Sequence, residues 1–181
     1  MATRVILTYA DYAAIPAEGR RYELHDGELS VTPAPVPDHQ EITGNLYSIL
    51  RPHVTAHRLG KLFFAPIDCV LSEVTIVQPD LVFLDTLRLA ALSRRGIEGP
   101  PTLAVEVVSD SSRQIDQSVK FQLYARHGVP YYWIVDPASR TIDAFVLREG
   151  VYQLAARLTG TGPAVLPPFP DLPIDPAAVW P

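Results

Sequence analysis

The sequence predicts an α/β or α+β protein built on a mixed central sheet flanked by helices. Two observations carry this prediction. The run LAVEVV (103–108) is almost entirely apolar, as expected of a central strand that is covered on both faces. An amphipathic helical stripe follows it, and then a second apolar run, YYWIVD (131–136). A strand, a crossover helix and another strand therefore succeed one another, which is the pattern of a sheet with helices packed on it.

Length and composition are those of a globular protein. The 181 residues predict one domain, 1–181, long enough to bury a core. The net charge of −5 gives no support to a broad nucleic-acid footprint, although a local basic patch is compatible with it. The single cysteine, Cys69, excludes an internal disulfide. No apolar run is long enough to span a membrane and no signal peptide is recognisable, so the sequence predicts a cytoplasmic protein without membrane contact.

Residues 1–37 are predicted to form an N-terminal extension that contains a short helix and a β-hairpin. Asp26-Gly27 stands between two strand-like runs, 21–24 and 28–32, and this dipeptide is a strong hairpin signal. Successive strand residues face opposite sides of a sheet, which predicts the two faces of the first strand. One face carries Arg21 and Glu23 and the other carries Tyr22 and Leu24.

A helix is predicted over 39–54, with Asp38 as its N-cap and a disturbance at Pro52. Its apolar side chains recur at helical spacing, at Ile42, Leu46, Ile49 and Leu50. His39 and Glu41 lie in its first turn. Two interpretations stay open for this pair: a solvated helix start, where an acid suits the helix dipole, or a turn that points one of the two into a functional site.

Two β-rich runs, 61–71 and 73–84, are predicted to pair antiparallel. Pro79 lacks a backbone donor and therefore predicts a strand edge or a bulge, which would redirect the side chain of Asp80. After these runs, 86–91 is predicted to be a short helix and 93–101 a polar loop.

The C-terminal part is predicted to contain a helix, a hairpin and a strap. The helix spans 113–126 after a turn at 109–112, and His127 ends it without a chemical role, followed by Gly128. The hairpin pairs 141–147 with 151–158. Residues 160–181 are rich in proline yet keep several large apolar side chains, which predicts an extended strap packed on the body.

The strongest functional signal is a pair of acids inside apolar runs. Asp80 lies in IVQPDLVFL and Glu106 in TLAVEVVS, and Lys120 follows on the next predicted helix. A buried strand excludes an ionised acid unless the acid is paired or binds a metal ion. One interpretation is a functional site. The other is structural, with the acids in a buried salt bridge to Lys120, or with Lys120 as a solvent-facing helix residue.

At these residues a resemblance becomes visible. Pro79-Asp80, then Glu106, then a lysine resembles the PD-(D/E)xK nuclease superfamily. Nearly the whole chain is similar to the Uma-two family of restriction endonuclease-like proteins. The similarity includes the His39 region and the proline-rich end, and its main motifs are RYELHDGEL, APIDCVLS, VQPDLVFL, GPPTLAVEVVSDSS and YARHGVPYYWIVDP.

The resemblance implies a restriction endonuclease-like fold and a metal-dependent endonuclease that hydrolyses phosphodiester bonds in DNA. Asp80 and Glu106 would bind Mg²⁺ or Mn²⁺ and, with Lys120, form the catalytic set. In the superfamily pattern the lysine stands two residues after the acid, where this chain has Val108, so the role passes to Lys120. No other cofactor is expected, and the supporting candidates are His39, Glu41, Gln78 and Ser109.

The alternative function is a non-catalytic nucleic-acid-binding or assembly module that retains the nuclease fold. A nuclease is expected to bind divalent metal and to have a basic rim around Asp80, and such a module to have neither. A homodimer is also predicted, from two-strand cleavage and from apolar strap side chains expected to be exposed. Finally, Lys120→Ala is predicted to keep the fold and metal binding while abolishing cleavage.

Overall fold

The computed structural model of the chain describes residues 5–16, 19–32, 34–109, 115–160 and 162–181. Most of the turn predicted at 109–112 and the start of the helix predicted at 113 lie outside the described residues.

The described residues of the first half of the chain form two α-helices and six strands. They are α1 (Tyr9–Ala13), β1 (Arg21–His25), β2 (Glu28–Thr32), α2 (Pro37–Ala56), β3 (Gly60–Phe64), β4 (Cys69–Ser72), β5 (Thr75–Val77) and β6 (Leu81–Asp85).

In the second half, the part of the chain that the structure describes forms eight strands together with α-, 3₁₀- and π-helices. They are a 3₁₀-helix (Thr86–Ala91), β7 (Leu92–Ser93), β8 (Gly96–Glu98), β9 (Leu103–Val107), a π-helix (Ile115–Lys120), α3 (Phe121–Arg126), β10 (Tyr131–Asp136), β11 (Thr141–Arg148), β12 (Val151–Leu158), β13 (Ala164–Val165), β14 (Pro173–Ile174) and a 3₁₀-helix (Pro176–Ala178).

The strands form two mixed sheets of six and one small pair. The first sheet has the order β2-β1-β5-β4-β8-β7, the second has the order β12-β11-β10-β9-β6-β3, and β13 pairs with β14. In the second sheet β9 and β10 run parallel, whereas β6 runs antiparallel to β9. The predicted fold class, a mixed α+β architecture with central strand β9 and an N-terminal hairpin, is confirmed.

The second sheet is covered on both faces, and this layering positions the site. One face packs on α2 and on the C-terminal strap, through Leu81, Val105 and Val107. The other face packs on α3 and on the first sheet, through Val82 and Ala104. Successive side chains of β6 and β9 therefore alternate between the two cores. The chain passes from the first sheet to the second between β5 and β6, at Gln78, Pro79 and Asp80.

The hairpin β1–β2 forms as its turn residues predict. Asp26 and Gly27 have φ angles of 53° and 81°, both in the left-handed region that a two-residue type I′ turn requires. The register pairs His25 with Glu28, directly across this turn. Leu24 pairs with Ile76 of β5 and thereby joins the hairpin to the first sheet.

Three local expectations are wrong. Helix α2 begins at Pro37 after an N-cap at Val36, so Asp38 lies in the first turn, where its charge still suits the helix dipole. Pro52 lies inside α2, which continues to Ala56. The polar stretch 93–101 is not a plain loop, because strands β7 and β8 pair across it.

The two β-rich runs pair antiparallel as predicted, but as four strands in two sheets. Strand β3 pairs with β6 in the second sheet, and β4 pairs with β5 in the first. Pro79 therefore marks a crossing between sheets and no bulge. Its missing donor costs no ladder hydrogen bond in that position.

The proline-rich C-terminal segment packs on the body, as predicted. Leu166, Phe169, Ile174 and Val179 are fully or almost fully buried in the core beneath α2. The burial of these four side chains contradicts one argument in favour of a homodimer. That argument relied on apolar strap side chains being exposed. The remaining argument is the expected cleavage of two strands.

Within the described part of the chain, no helix has the length and apolar character needed to span a membrane.

Candidate active site

Asp80 is held at the crossing between the two sheets by three partners from distant parts of the chain. Its Oδ2 accepts hydrogen bonds from Nε2 of His39 (3.0 Å) and from the backbone N–H of Val107 (2.9 Å). Its Oδ1 pairs with the guanidinium of Arg21 at 3.1 Å. Arg21 also donates to the backbone carbonyl of Gln78. Strand β1, helix α2 and strand β9 therefore converge on one carboxylate.

Glu106 lies on β9, on the face opposite its neighbour Val107, and meets the helix that follows. The ammonium Nζ of Lys120 is 3.0 Å from Oε1 of Glu106, and the hydroxyl of Tyr124 donates to the same oxygen at 2.7 Å. All three side chains are buried. Lys120 ends the π-helix and Tyr124 lies one turn later in α3, so both project from the same side toward β9.

Glu23 is linked to Glu106 through the same lysine. Its Oε1 is 3.0 Å from Nζ of Lys120 and accepts the backbone N–H of Gln78 at 2.6 Å. Its Oε2 is 3.2 Å from Nε2 of His25. Lys120 therefore bridges two buried carboxylates, one on β1 and one on β9. The interpretation of Lys120 as a solvent-facing helix residue is wrong, because its side chain is only 6% exposed.

These side chains line one cavity of about 110 Å³. Among the described residues that line it are three acids, two basic side chains and one histidine, so acidic groups are in excess if the histidine is neutral. They are Glu23, Asp80, Glu106, Arg21, Lys120 and His39, together with Ser109 and Val107. The structure thus brings Asp80, Glu106 and Lys120 together with the supporting candidates His39 and Ser109.

Two supporting candidates lie differently. Gln78 does not line the cavity but contacts one of its acids through the backbone. Its side chain donates to Asp68 at 2.7 Å and its backbone N–H donates to Glu23. Glu41 is exposed on α2 and lines none of the cavities around Asp80, so the structure does not bring it to the site. Of the two candidates on α2, only His39 points inward.

The carboxylates are tuned by burial and by charge in opposite directions. Burial raises the pKa of Asp80, but the hydrogen bond from His39, the charge of Arg21 and the Val107 N–H outweigh it and lower that pKa. Burial likewise raises the pKa of Glu23, and the ammonium of Lys120 and the contacts with His25 and Gln78 lower it overall. Both acids are therefore ionised at neutral pH.

Residues 9–177 of the chain match the family model Uma2, which is described as "Putative restriction endonuclease". The chain belongs to the Uma2 family. That match extends from α1 into the C-terminal strap and includes every residue of the cavity described above.

The fold of this Uma2 chain also matches a solved structure, described as the "crystal structure of a putative nuclease belonging to DUF820" from Anabaena variabilis ATCC 29413. The TM-score is 0.79 and the match covers 96% of this chain and 97% of that chain, with 17% sequence identity. At this identity the match establishes a shared fold. No curated protein matches the sequence.

Sequence reasoning missed Arg21, Glu23 and Tyr124 as members of the Uma2 site. The hairpin pattern placed Arg21 and Glu23 on one face, but an alternating polar face is usually solvated. The available signal was the acid in the strand RYELH, which is the same kind of signal that marked Glu106. Tyr124 lies on the buried, largely apolar side of its helix, and its hydroxyl contact with Glu106 depends on tertiary packing.

The depressed pKa values predict how stability depends on pH. A carboxylate whose pKa is lower in the folded state contributes stability above its unfolded pKa, and this contribution is lost as the pH falls through the folded pKa. We expect the thermal midpoint to vary little from neutral pH down to about 5 and to fall below about pH 4. Glu23→Gln should reduce this acid dependence, whereas Glu41→Gln, at an exposed position, should leave it unchanged. Scanning calorimetry across pH measures both; equal acid slopes in the two variants would contradict the assignment.

Proposed function

We propose that this chain is an endonuclease dependent on Mg²⁺ or Mn²⁺ that hydrolyses phosphodiester bonds in DNA. The observation that carries the proposal is the convergence of Asp80, Glu106 and Lys120, from three separate elements, in one small acidic cavity. Buried charges of this kind contribute poorly to stability, so a functional role explains them better than a structural one.

The residues fit a hard divalent ion. Carboxylate oxygens are the ligands that Mg²⁺ prefers, and one or two carboxylates with water and substrate phosphate are its usual set in enzymes of phosphate chemistry. The described residues contain no cluster of three or more His, Cys, Asp or Glu side chains with ligand geometry, so Asp80 and Glu106 would hold the ion as a pair. A volume of about 110 Å³ accommodates an ion with a few waters, since each water occupies about 30 Å³.

Two polar atoms beside Asp80 support a ligand-binding role. Among the described residues, Nε of Arg21 and Nδ1 of His39 are buried without a hydrogen-bond partner, and both belong to side chains that contact the Asp80 carboxylate. Buried polar atoms are almost always satisfied by protein, water or ligand. Their concentration around one carboxylate marks the place where a polar ligand is expected.

The chain's own residues have distinct roles in this proposal. A bound divalent ion supplies Lewis-acid activation of water and neutralises charge on the phosphate. His39 and the Val107 N–H fix the orientation of Asp80. Tyr124 fixes Glu106 in the same way. Lys120 places a positive charge beside Glu106, where it would stabilise the charge that develops on the phosphate oxygens.

A specific observation also favours the alternative, a nucleic-acid-binding or assembly module without catalysis. Asp80 and Glu106 each have basic and hydrogen-bonding partners within the chain, so their charges are balanced without an ion. Such a module would keep the fold and lose the need for metal. A homodimer and a cytoplasmic location, as the sequence predicts, stay predictions.

Circular DNA separates the two functions. We expect the protein to open supercoiled plasmid or circular single-stranded DNA in Mg²⁺ or Mn²⁺, and to leave both intact in EDTA. Circles have no ends, so their cleavage demonstrates endonuclease activity. Titration calorimetry with Mn²⁺ and no DNA gives an independent readout of the metal site. Intact circles together with no heat of metal binding would overturn the proposal in favour of the binding module.

A further inference from the structure

A groove leads away from Asp80 between helix α2 and strand β3. It consists of two cavities of about 650 and 700 Å³ that share Tyr47, Phe64 and Pro66 in their walls. The first cavity reaches Asp80, Arg21 and His39. The second extends along α2 and β3 on the far side of the aromatic pair. We call this continuous surface the α2–β3 groove.

The floor of the groove follows one stripe of α2. His39, Thr43, Tyr47, Arg51 and Thr55 recur every four residues, so each is a neighbour of the next along a row that winds gradually around the helix. His39 and Thr43 line the first cavity, Arg51 and Thr55 line the second, and Tyr47 lines both. From His39 to Arg51 the helix rises by about 18 Å at 1.5 Å per residue. At about 3.4 Å per nucleotide of one strand, that length corresponds to roughly five nucleotides.

Two aromatic rings stand at the middle of the groove. Tyr47 and Phe64 meet edge to face, with ring centroids 5.1 Å apart and an interplanar angle of 83°. Phe64 is 56% exposed although it is a large apolar residue on the edge strand of the second sheet. Exposed aromatic rings of this kind are the platforms on which unpaired bases stack.

The outer end of the groove is basic, against the charge of the whole chain. Arg51, Arg58 and Lys61 line the second cavity, and none of the described residues that line it is acidic, whereas the chain carries a net charge of −5. The guanidinium of Arg51 donates to the hydroxyl of Tyr47 at 2.6 Å, which fixes it beside the rings. A positive patch next to aromatic rings is complementary to a nucleic-acid backbone with unpaired bases.

We infer that the α2–β3 groove binds single-stranded DNA and delivers it to Asp80. This inference deepens the proposed function, on which it rests, and it names the substrate class as single strands or unpaired segments of DNA. A duplex is disfavoured because stacking on Tyr47 and Phe64 requires bases that are not already paired. The phosphates would contact Arg51, Arg58 and Lys61, and the strand would continue toward Arg21 at the site.

Fluorescence anisotropy in EDTA tests the groove without any cleavage. The probes are a labelled 12-nucleotide single strand and the corresponding duplex, each titrated with the full chain. We expect tighter binding of the single strand. We also expect a plot of log affinity against log salt with a slope of about −2, because each phosphate contact of a single strand contributes about −0.7.

Groove variants then localise the binding. Phe64→Ala should weaken single-strand binding at least about fivefold, as expected for the loss of one stacked base. The double variant Lys61→Gln/Arg58→Asn should reduce the salt slope by about 1.4, for two lost phosphate contacts. Asparagine is chosen at position 58 because Arg58 has a φ angle of 53°, which asparagine tolerates.

Matched controls lie at the opposite edge of the second sheet. Arg148→Gln removes an exposed arginine on β11 and Leu154→Ala an exposed apolar residue on β12, and neither should change affinity or slope. Equal or tighter binding of the duplex would overturn the inference, and so would groove variants that bind like the controls. Single-strand binding with intact circles in Mg²⁺ would instead retain the groove and reject the nuclease. Cleavage with unaffected groove variants would do the reverse.

Discussion

Asp80→Ala is expected to abolish metal-dependent cleavage of circular DNA. Asp80 is the point at which β1, α2 and β9 converge, and it supplies one of the two carboxylates that would bind the ion. Loss of an outer-shell partner of a metal ligand already costs about 10- to 100-fold. Loss of the ligand itself should therefore exceed a hundredfold, together with a loss of Mn²⁺ binding in calorimetry.

The alanine variant also leaves Arg21 and the Val107 N–H without their acceptor, so instability must be separated from lost chemistry. Asp80→Asn keeps the shape and one acceptor oxygen while it removes the charge. We expect this variant to fold, by circular dichroism, and to be as inactive as the alanine variant. The control is Asp143→Asn, which should cleave normally. Asp143 lies on β11, far from the site, and pairs with Arg157 of β12. A folded Asp80→Asn variant with wild-type cleavage would remove Asp80 from the catalytic set.

Lys120 is expected to give the largest loss of stability of any single substitution at the site. Its ammonium lies 3.0 Å from both Glu23 and Glu106, and all three side chains are buried. Removing one partner from a buried ion pair costs about 3–5 kcal/mol, because it leaves an uncompensated charge. Lys120→Met should therefore lower the free energy of unfolding by about that amount, as measured by urea denaturation at pH 7.

This expectation replaces the one drawn from the sequence, in which Lys120→Ala keeps the fold. A lysine that bridges two buried acids cannot be removed without consequence for packing and charge. The variant Glu23→Gln/Lys120→Met removes the lysine and one acid together, so it should recover part of the lost stability while it remains inactive in the circle assay. The exposed Lys61→Met serves as the control for stability.

Two outcomes would contradict this account of Lys120. Lys120→Met with wild-type stability would show that the contacts of Lys120 with Glu23 and Glu106 do not contribute to the free energy of unfolding. A double variant that is stable and cleaves at the wild-type rate would show that the lysine has no catalytic role. The catalytic assignment would then be restricted to Asp80 and Glu106.

Local sequence patterns predict the central strands and the two acids that interrupt apolar runs. Local signals are sufficient for this: β9 and β10 are almost entirely apolar because both of their faces are covered, and Asp26-Gly27 specifies its turn without help from the rest of the chain. Glu106 was recognisable for the same reason, since a charge within such a strand requires a partner or a ligand.

The side chains that contact those acids are set by tertiary packing. Arg21 and Glu23 lie on a hairpin that would have a solvated face if it stood alone, and the pairing of Leu24 with Ile76 turns that face toward the crossing at Asp80. Lys120 was ambiguous because helical periodicity gives the direction of a side chain relative to its own helix and not the depth at which the helix packs. The partners of Asp80 lie 27 to 59 residues away along the chain. Contacts over such separations are set by how the two sheets and the helices pack, and local sequence pattern does not encode them.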